Sequence, residues 1–267
     1  MRGTVGAAVA GLGLLTGLGL LAGCRSRSST GPSETAESGV KPLVYLDPAT
    51  LGDVSGVVKL AGEVPAPARI DTAVDPACEL AGVETFTEQY VVKDGRLANV
   101  YVYVKSGPAV AMAEGASWMA PAVLDQKRCS YVPHVIAVMV GQRVEFRNGD
   151  PARHSVHVMP AVAGNAEVNL SEASKGAPQV KVFRKSEVMM PVRCSHHPWM
   201  NAFVNVSPTP WFAVTGADGR YELKGLPAGD YMLGFVQEKM GEQSVAVTVK
   251  PQAAATADVT YAMKQGS

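Results

Sequence analysis

Residues 134–150 read HVIAVMVGQRVEFRNGD. Val135, Val144 and Phe146 stand among residues that alternate in steps of two, and the run ends on Asn-Gly-Asp, so the stretch reads as two short strands and a turn. The same texture spreads outward in both directions. VSGVVKL (54–60), EQYVV (88–92) and NVYVYVKSG (99–107) precede it, and VKVFRKSEVMMPVRC (180–194) and NAFVNVS (201–207) follow. Val, Tyr and Phe dominate these runs, and Asp94-Gly95, Asn148-Gly149-Asp150 and Asp218-Gly219 supply turns between them. Helical heptads do not occur, and the class is all-β.

Composition bounds what such a protein can do. The chain has 267 residues, enough for one large or two modest domains, with 47% hydrophobic and 18% charged side chains. Basic and acidic residues balance at 24 each, which gives no electrostatic basis for nucleic-acid binding or for a broad grip on an anionic membrane.

The N-terminus carries an address. Arg2 is followed by an uncharged, Gly-rich apolar stretch from Val5 to Ala22, the pattern of an export signal spanning residues 1–23. Its end, Leu21-Ala22-Gly23-Cys24, resembles the lipobox of bacterial lipoproteins, which implies that Cys24 receives lipid and becomes the first mature residue. A transmembrane helix or a soluble secreted product is the alternative, although seven glycines in a segment barely long enough to cross disfavour a spanning helix. Residues 24–42, rich in Ser, Thr, Gly and Glu, read as a flexible tether. Arg25 stands where lipoproteins retained at the inner membrane carry Asp, so the resemblance implies an anchor in the outer membrane, facing the periplasm.

The mature chain divides into a β-rich segment 43–121, a central domain 122–206 and a final part 207–267. Phe212–Val249, with its Asp-Gly turn, its Leu226-Pro227-Ala228-Gly229 turn and its Tyr231 strand, resembles the carboxypeptidase regulatory-like, or transthyretin-like, β-sandwich. Such modules begin with a Gly-x-Val strand, which Ser55-Gly56-Val57-Val58 could supply, joined later by Val100–Val104. The central domain would then be inserted into the sandwich. Three sequential pieces are the alternative.

The candidate soft ligands outside the lipobox are Cys78, Cys129, Cys194, the five histidines and the methionines. His154 follows the turn after the strand that ends at Asn148, and forty residues later comes Cys194-Ser195-His196-His197-Pro198-Trp199-Met200. A thiolate, two imidazoles and a thioether make a His₂Cys site with a weak axial Met, the set suited to cycling between Cu(I) and Cu(II). In an extended strand Cys194 can point into the end of a barrel, and the short loop after it can fold back to bring His197 and Met200 to the same ion.

From about Ala122 to Val206 the chain resembles the cupredoxins, the type 1 blue copper proteins. Pro133–Val144 is similar to their early strand and turn, Asn148 to the Asn that ends it, and His154 to the first copper ligand; Cys194-x2-His197-x2-Met200 resembles the short ligand loop of the amicyanin type, Pro198 included. The resemblance implies a Greek-key barrel with one copper held by His154, Cys194, His197 and Met200. It also implies that electrons pass through an exposed edge of His197, beside Pro198 and Trp199. Trp199 is then either a core plug or a docking contact. Ser155 stands where the family commonly has Asn; its backbone N–H could reach the Cys194 sulfur, and the side-chain tie across to the ligand loop is the point at issue. His196 falls outside the ligand loop's spacing, His157 lies on the opposite strand face under alternation, and His134 reads as structural.

Cys78 and Cys129 remain. In an oxidising envelope they read most simply as a disulfide that clips the N-terminal segment to the copper domain, with free buried thiols or a second metal site including His134 as alternatives. The functional expectation is an electron carrier, not an enzyme, with a cytochrome or a copper or quinoprotein enzyme as partner and the lipid bilayer as anchor. A copper-delivery lipoprotein and a structural or adhesion module are the rivals. Neither a Ser-His-Asp constellation nor a haem-attachment spacing is present.

Overall fold

The computed structural model describes residues 46–79, 84–111 and 119–263; the signal segment 1–23, the lipobox Cys24 and the tether 24–42 lie outside the described residues. Almost all regular structure among the described residues is strand, in agreement with the alternation. Arg143–Asn148 shows why: Val144, Phe146 and Asn148 are buried while Arg143 and Arg147 are exposed, as a pleated strand with one wet face requires.

Residues 122–207 build one two-sheet barrel. In the first sheet the order is Gln179–Val182, Arg143–Asn148, Ala122–Lys127 and Ser130–Val132; in the second it is Val168–Glu172, His154–Val158, Glu187–Arg193, Asn201–Ser207 and Val135–Met139. Leu124, Val138, Phe146, Val156, Val192 and Val204, each fully buried, fill the space between the sheets. Asn148-Gly149-Asp150 does not join neighbouring strands of one sheet. It is the corner where the chain leaves the first sheet for the second, and Asn148 holds it by accepting the Asp150 N–H at 3.0 Å and donating to the Ala152 carbonyl at 2.9 Å.

The residues on either side of this barrel close a second sandwich. Leu51–Ala61 pairs antiparallel with Arg220–Pro227 and parallel with Ala254–Thr256 and Val259–Ala262, while Tyr101–Ser106 lies between Phe212–Val214 and Gly229–Gln237. The barrel is therefore inserted between strands that are hydrogen-bonded neighbours. Two turns named above need their glycines. Asp94 and Gly95 both take positive φ, 52° and 70°, the conformation of a tight hairpin turn. At Gly219, with φ +67°, a Cβ would lie 2.6 Å from the Val58 carbonyl oxygen.

His134 ties the two bodies together. Its Nδ1 lies 3.1 Å from the Asn201 carbonyl and its Nε2 2.8 Å from the buried Glu238 carboxylate. Through its two nitrogens the ring links Asn201 of the barrel to Glu238 of the sandwich.

Cys78 and Cys129 form a disulfide that closes 51 residues of chain and fastens the segment Asp71–Glu79, which belongs to the sandwich half, onto the barrel. A closure of this length stabilises a fold by about 4 kcal/mol through the unfolded chain. Thiol titration of unfolded, metal-free, unreduced protein beginning at Arg25 should find one reactive group, Cys194; three would show that the clamp does not form.

Candidate metal centre

His154 opens the strand His154–Val158, and Cys194 directly follows the strand Glu187–Arg193. These two strands pair, with His157 opposite Arg193. The loop beyond Cys194 is closed by its own backbone: the Met200 N–H donates to the His197 carbonyl at 2.9 Å and the Cys194 N–H to the Met200 carbonyl at 3.4 Å. That turn swings His197 back over the barrel end. His154 Nδ1 and His197 Nδ1 lie 2.9 Å apart, and His197 Nδ1 is 3.7 Å from Cys194 Sγ. All three side chains are buried, and their ligating atoms lie within 4.8 Å of one another. Met200, 1% exposed, is carried on the same loop into the same core.

This donor set fits copper. Two imidazole nitrogens and a thiolate converge on one small space, with a thioether on the same loop, and each outer nitrogen already has an acceptor. His154 Nε2–H donates to Asp150 at 2.9 Å, and Asp150 is itself fixed by the Arg128 and Cys129 N–H groups at 2.6 and 2.7 Å. His197 Nε2–H donates to Asp75 at 2.9 Å. Both rings thus carry a proton on Nε2 and turn Nδ1 inward. Neither carboxylate was found from the sequence. Asp150, four residues before His154, carried a local signal, whereas Asp75 lies 122 residues from His197 and carried none.

Burial alone would discharge both Cys194 and His154, but their partners prevail. Hydrogen bonds from His154, from the Ser155 N–H and hydroxyl and from the His196 N–H bring the Cys194 thiol down to about 5, against burial. His154, opposed by burial and supported by Asp150 and Cys194, is pushed up to about 9. The metal-free site is therefore a thiolate–imidazolium pair, with a proton on the inner nitrogen that a metal would need.

Ser155 makes both contacts that were at issue. Its N–H lies 3.4 Å from Cys194 Sγ, and its Oγ accepts the Ser195 N–H at 2.7 Å, so the short side chain does tie the strand to the ligand loop. Tyr131 holds the same residue from behind, its hydroxyl donating to the Ser155 carbonyl at 2.5 Å.

The expected exposed edge of His197 is absent. His197 is only 2% exposed, because Asp75 and the Cys78–Cys129 disulfide lie across it, with Cys78 Sγ 3.6 Å from Nε2. Trp199 is half-buried against the barrel core, its N–H donating to the Cys129 carbonyl at 3.1 Å and its ring 5.0 Å from that of His197. It packs rather than projects. His196 is exposed, and His157 faces Glu167 away from the site.

No protein-family model and no curated protein matches the chain. Among solved structures, the chain is similar to a copper-containing nitrite reductase from Thermus scotoductus SA-01 at 25% identity, covering 39% of this chain and 27% of that one, with a TM-score of 0.30. An oxidized amicyanin mutant is similar at 21% identity over 40% of this chain and 98% of its own, with a TM-score of 0.30. A purple cupredoxin from Nitrosopumilus maritimus is similar at 22% identity over 33% of this chain and 100% of its own, with a TM-score of 0.27. The chain thus spans 27% of the length of the nitrite reductase it matches.

Two measurements check the site. In metal-free protein the ultraviolet thiolate absorbance, taken as the difference between parent and Cys194→Ser, should disappear on acidification with a midpoint of about 5; a midpoint near 9, the ordinary thiol value, would overturn the assignment. Ser155→Ala should lower the unfolding free energy of the metal-free protein by about 1 kcal/mol, because the Ser195 N–H loses its acceptor.

Proposed function

We propose that this protein is a copper-binding electron-transfer protein of the bacterial cell envelope, with one type 1 ion held by His154, Cys194, His197 and Met200. The observation that carries the reading is the convergence of the two inward Nδ1 atoms and the Cys194 sulfur in a fully buried pocket. Bound there, copper would supply one-electron chemistry between Cu(I) and Cu(II). The chain's residues supply the rest. Ser155, Asp150 and Asp75 fix the donors in place, which keeps their geometry constant between oxidation states. Burial of every donor excludes water and leaves no substrate position, which favours electron transfer over metal-assisted hydrolysis.

Electron exchange then runs through the atoms that cover His197, since no bare imidazole edge meets the solvent. The partner is a redox protein, either a cytochrome or a copper or quinoprotein enzyme. Lipid on Cys24 tethers the protein to the bilayer, with residues 25–42 as the spacer, and the outer membrane is the address that Arg25 supports. The sandwich formed by residues on both sides of the barrel is of the carboxypeptidase regulatory-like kind.

Copper-loaded protein should hold one ion per chain and show an intense thiolate-to-copper visible band that Cys194→Ser abolishes. A band of parent strength in that variant would overturn the ligand assignment. Repeated oxidation and reduction in the presence of a chelator should leave the ion in place; its ready loss would mark a delivery protein instead.

A further inference from the structure

Asp75 lies on the segment Asp71–Glu79, which is not part of the copper barrel. The segment follows Leu51–Ala61 of the sandwich, crosses the open end of the barrel and is fixed there by the Cys78–Cys129 disulfide. Each Asp75 oxygen has one duty. Oδ1 accepts the Ala77 N–H at 2.8 Å and caps the short helical turn Pro76–Glu79, while Oδ2 accepts from His197 Nε2 at 2.9 Å. The cap orients the carboxylate, and the disulfide fixes where the cap sits.

An imidazole that donates from Nε2 has Nδ1 free, and Nδ1 of His197 is the atom that faces His154 and Cys194. We propose that Asp75 is a positioning residue for the metal centre, supplied from the sandwich half of the chain: it holds the proton of His197 on Nε2 and so reserves Nδ1 for the ion. The proposal rests on the copper reading above. It assigns the disulfide-clamped segment a task in the site as well as in the fold. The arrangement mirrors that at His154, where Asp150 does the same work from within the barrel and is anchored by the N–H of Cys129, the other half of the disulfide. One covalent bond therefore steadies the acceptors of both imidazoles.

Two substitutions separate positioning from mere packing. Asp75→Ser keeps a good cap for the turn but is too short to reach His197. Asp75→Asn is nearly isosteric and, with its oxygen engaged by the Ala77 N–H, turns an amide donor toward Nε2. That favours the tautomer protonated on Nδ1, the nitrogen the site needs bare. Nitrogen-15 histidine spectra of the metal-free parent should show His197 protonated on Nε2, with the proton shifted toward Nδ1 in Asp75→Asn. Competition with a chelator for Cu(I) should show affinity about 10–100-fold weaker in Asp75→Ser and weaker still in Asp75→Asn. That order inverts what side-chain shape alone would give. Parent-like affinity in both variants, or a parent His197 protonated on Nδ1, would overturn the proposal. The tautomer measurement needs no copper, so a parent that bound none would sink the functional reading while leaving Asp75 to be judged on its own.

Discussion

Two imidazoles that each donate from Nε2 to a carboxylate can face each other through Nδ1 at 2.9 Å only with a proton or a metal ion between those inner nitrogens. Here Asp75 and Asp150 bond the outer nitrogens, and Cys194 together with Asp150 raises the affinity of His154 for a proton. The neighbouring structure meets this requirement. The corner Asn148-Gly149-Asp150 exists to bring a carboxylate under His154, the disulfide brings another over His197, and Ser155 keeps the thiolate supplied with donors. A buried thiolate without those donors would be neutralised instead.

The strand pattern and the ligand spacing were legible in the sequence because both are local. Alternation over five to eight residues sets which face of Arg143–Asn148 is wet, and the two residues between Cys194 and His197 fit one turn. What sequence could not show is what long-range pairing creates. Asp75 looks like an ordinary helix cap before Cys78, and only the disulfide brings it to His197. The expected solvent-facing edge of His197 failed for that reason: a disulfide between the N-terminal segment and the barrel was legible, but not that it lays Asp75 across His197. Ser155 is the converse case. Whether so short a side chain could make the tie that Asn makes was open from the sequence, and the Ser195 N–H lies 2.7 Å from its Oγ.

Covering the imidazole changes how the site can be reached. Approach from this side meets the half-buried Trp199, the disulfide and the Asp71–Glu79 segment before the His197 ring. The His134–Glu238 pair fixes the far side of the ligand loop to the sandwich in the same manner, through the carbonyl of Asn201, the residue after Met200.

The insertion also bears on the order in which the molecule can assemble. Val57 donates to Asp258 across 201 residues, and the strand that contains it finds its parallel partners only in the last part of the chain. Pairing across so long a loop is slow in an extended chain. The barrel's strand pairing lies within residues 122–207, and the strands that flank it, Tyr101–Ser106 and Phe212–Val214, are direct neighbours. Once the barrel has formed, its rigid body replaces a flexible stretch of about a hundred residues and delivers those two strands side by side. A guest domain formed first would thereby hold two strands of its host side by side.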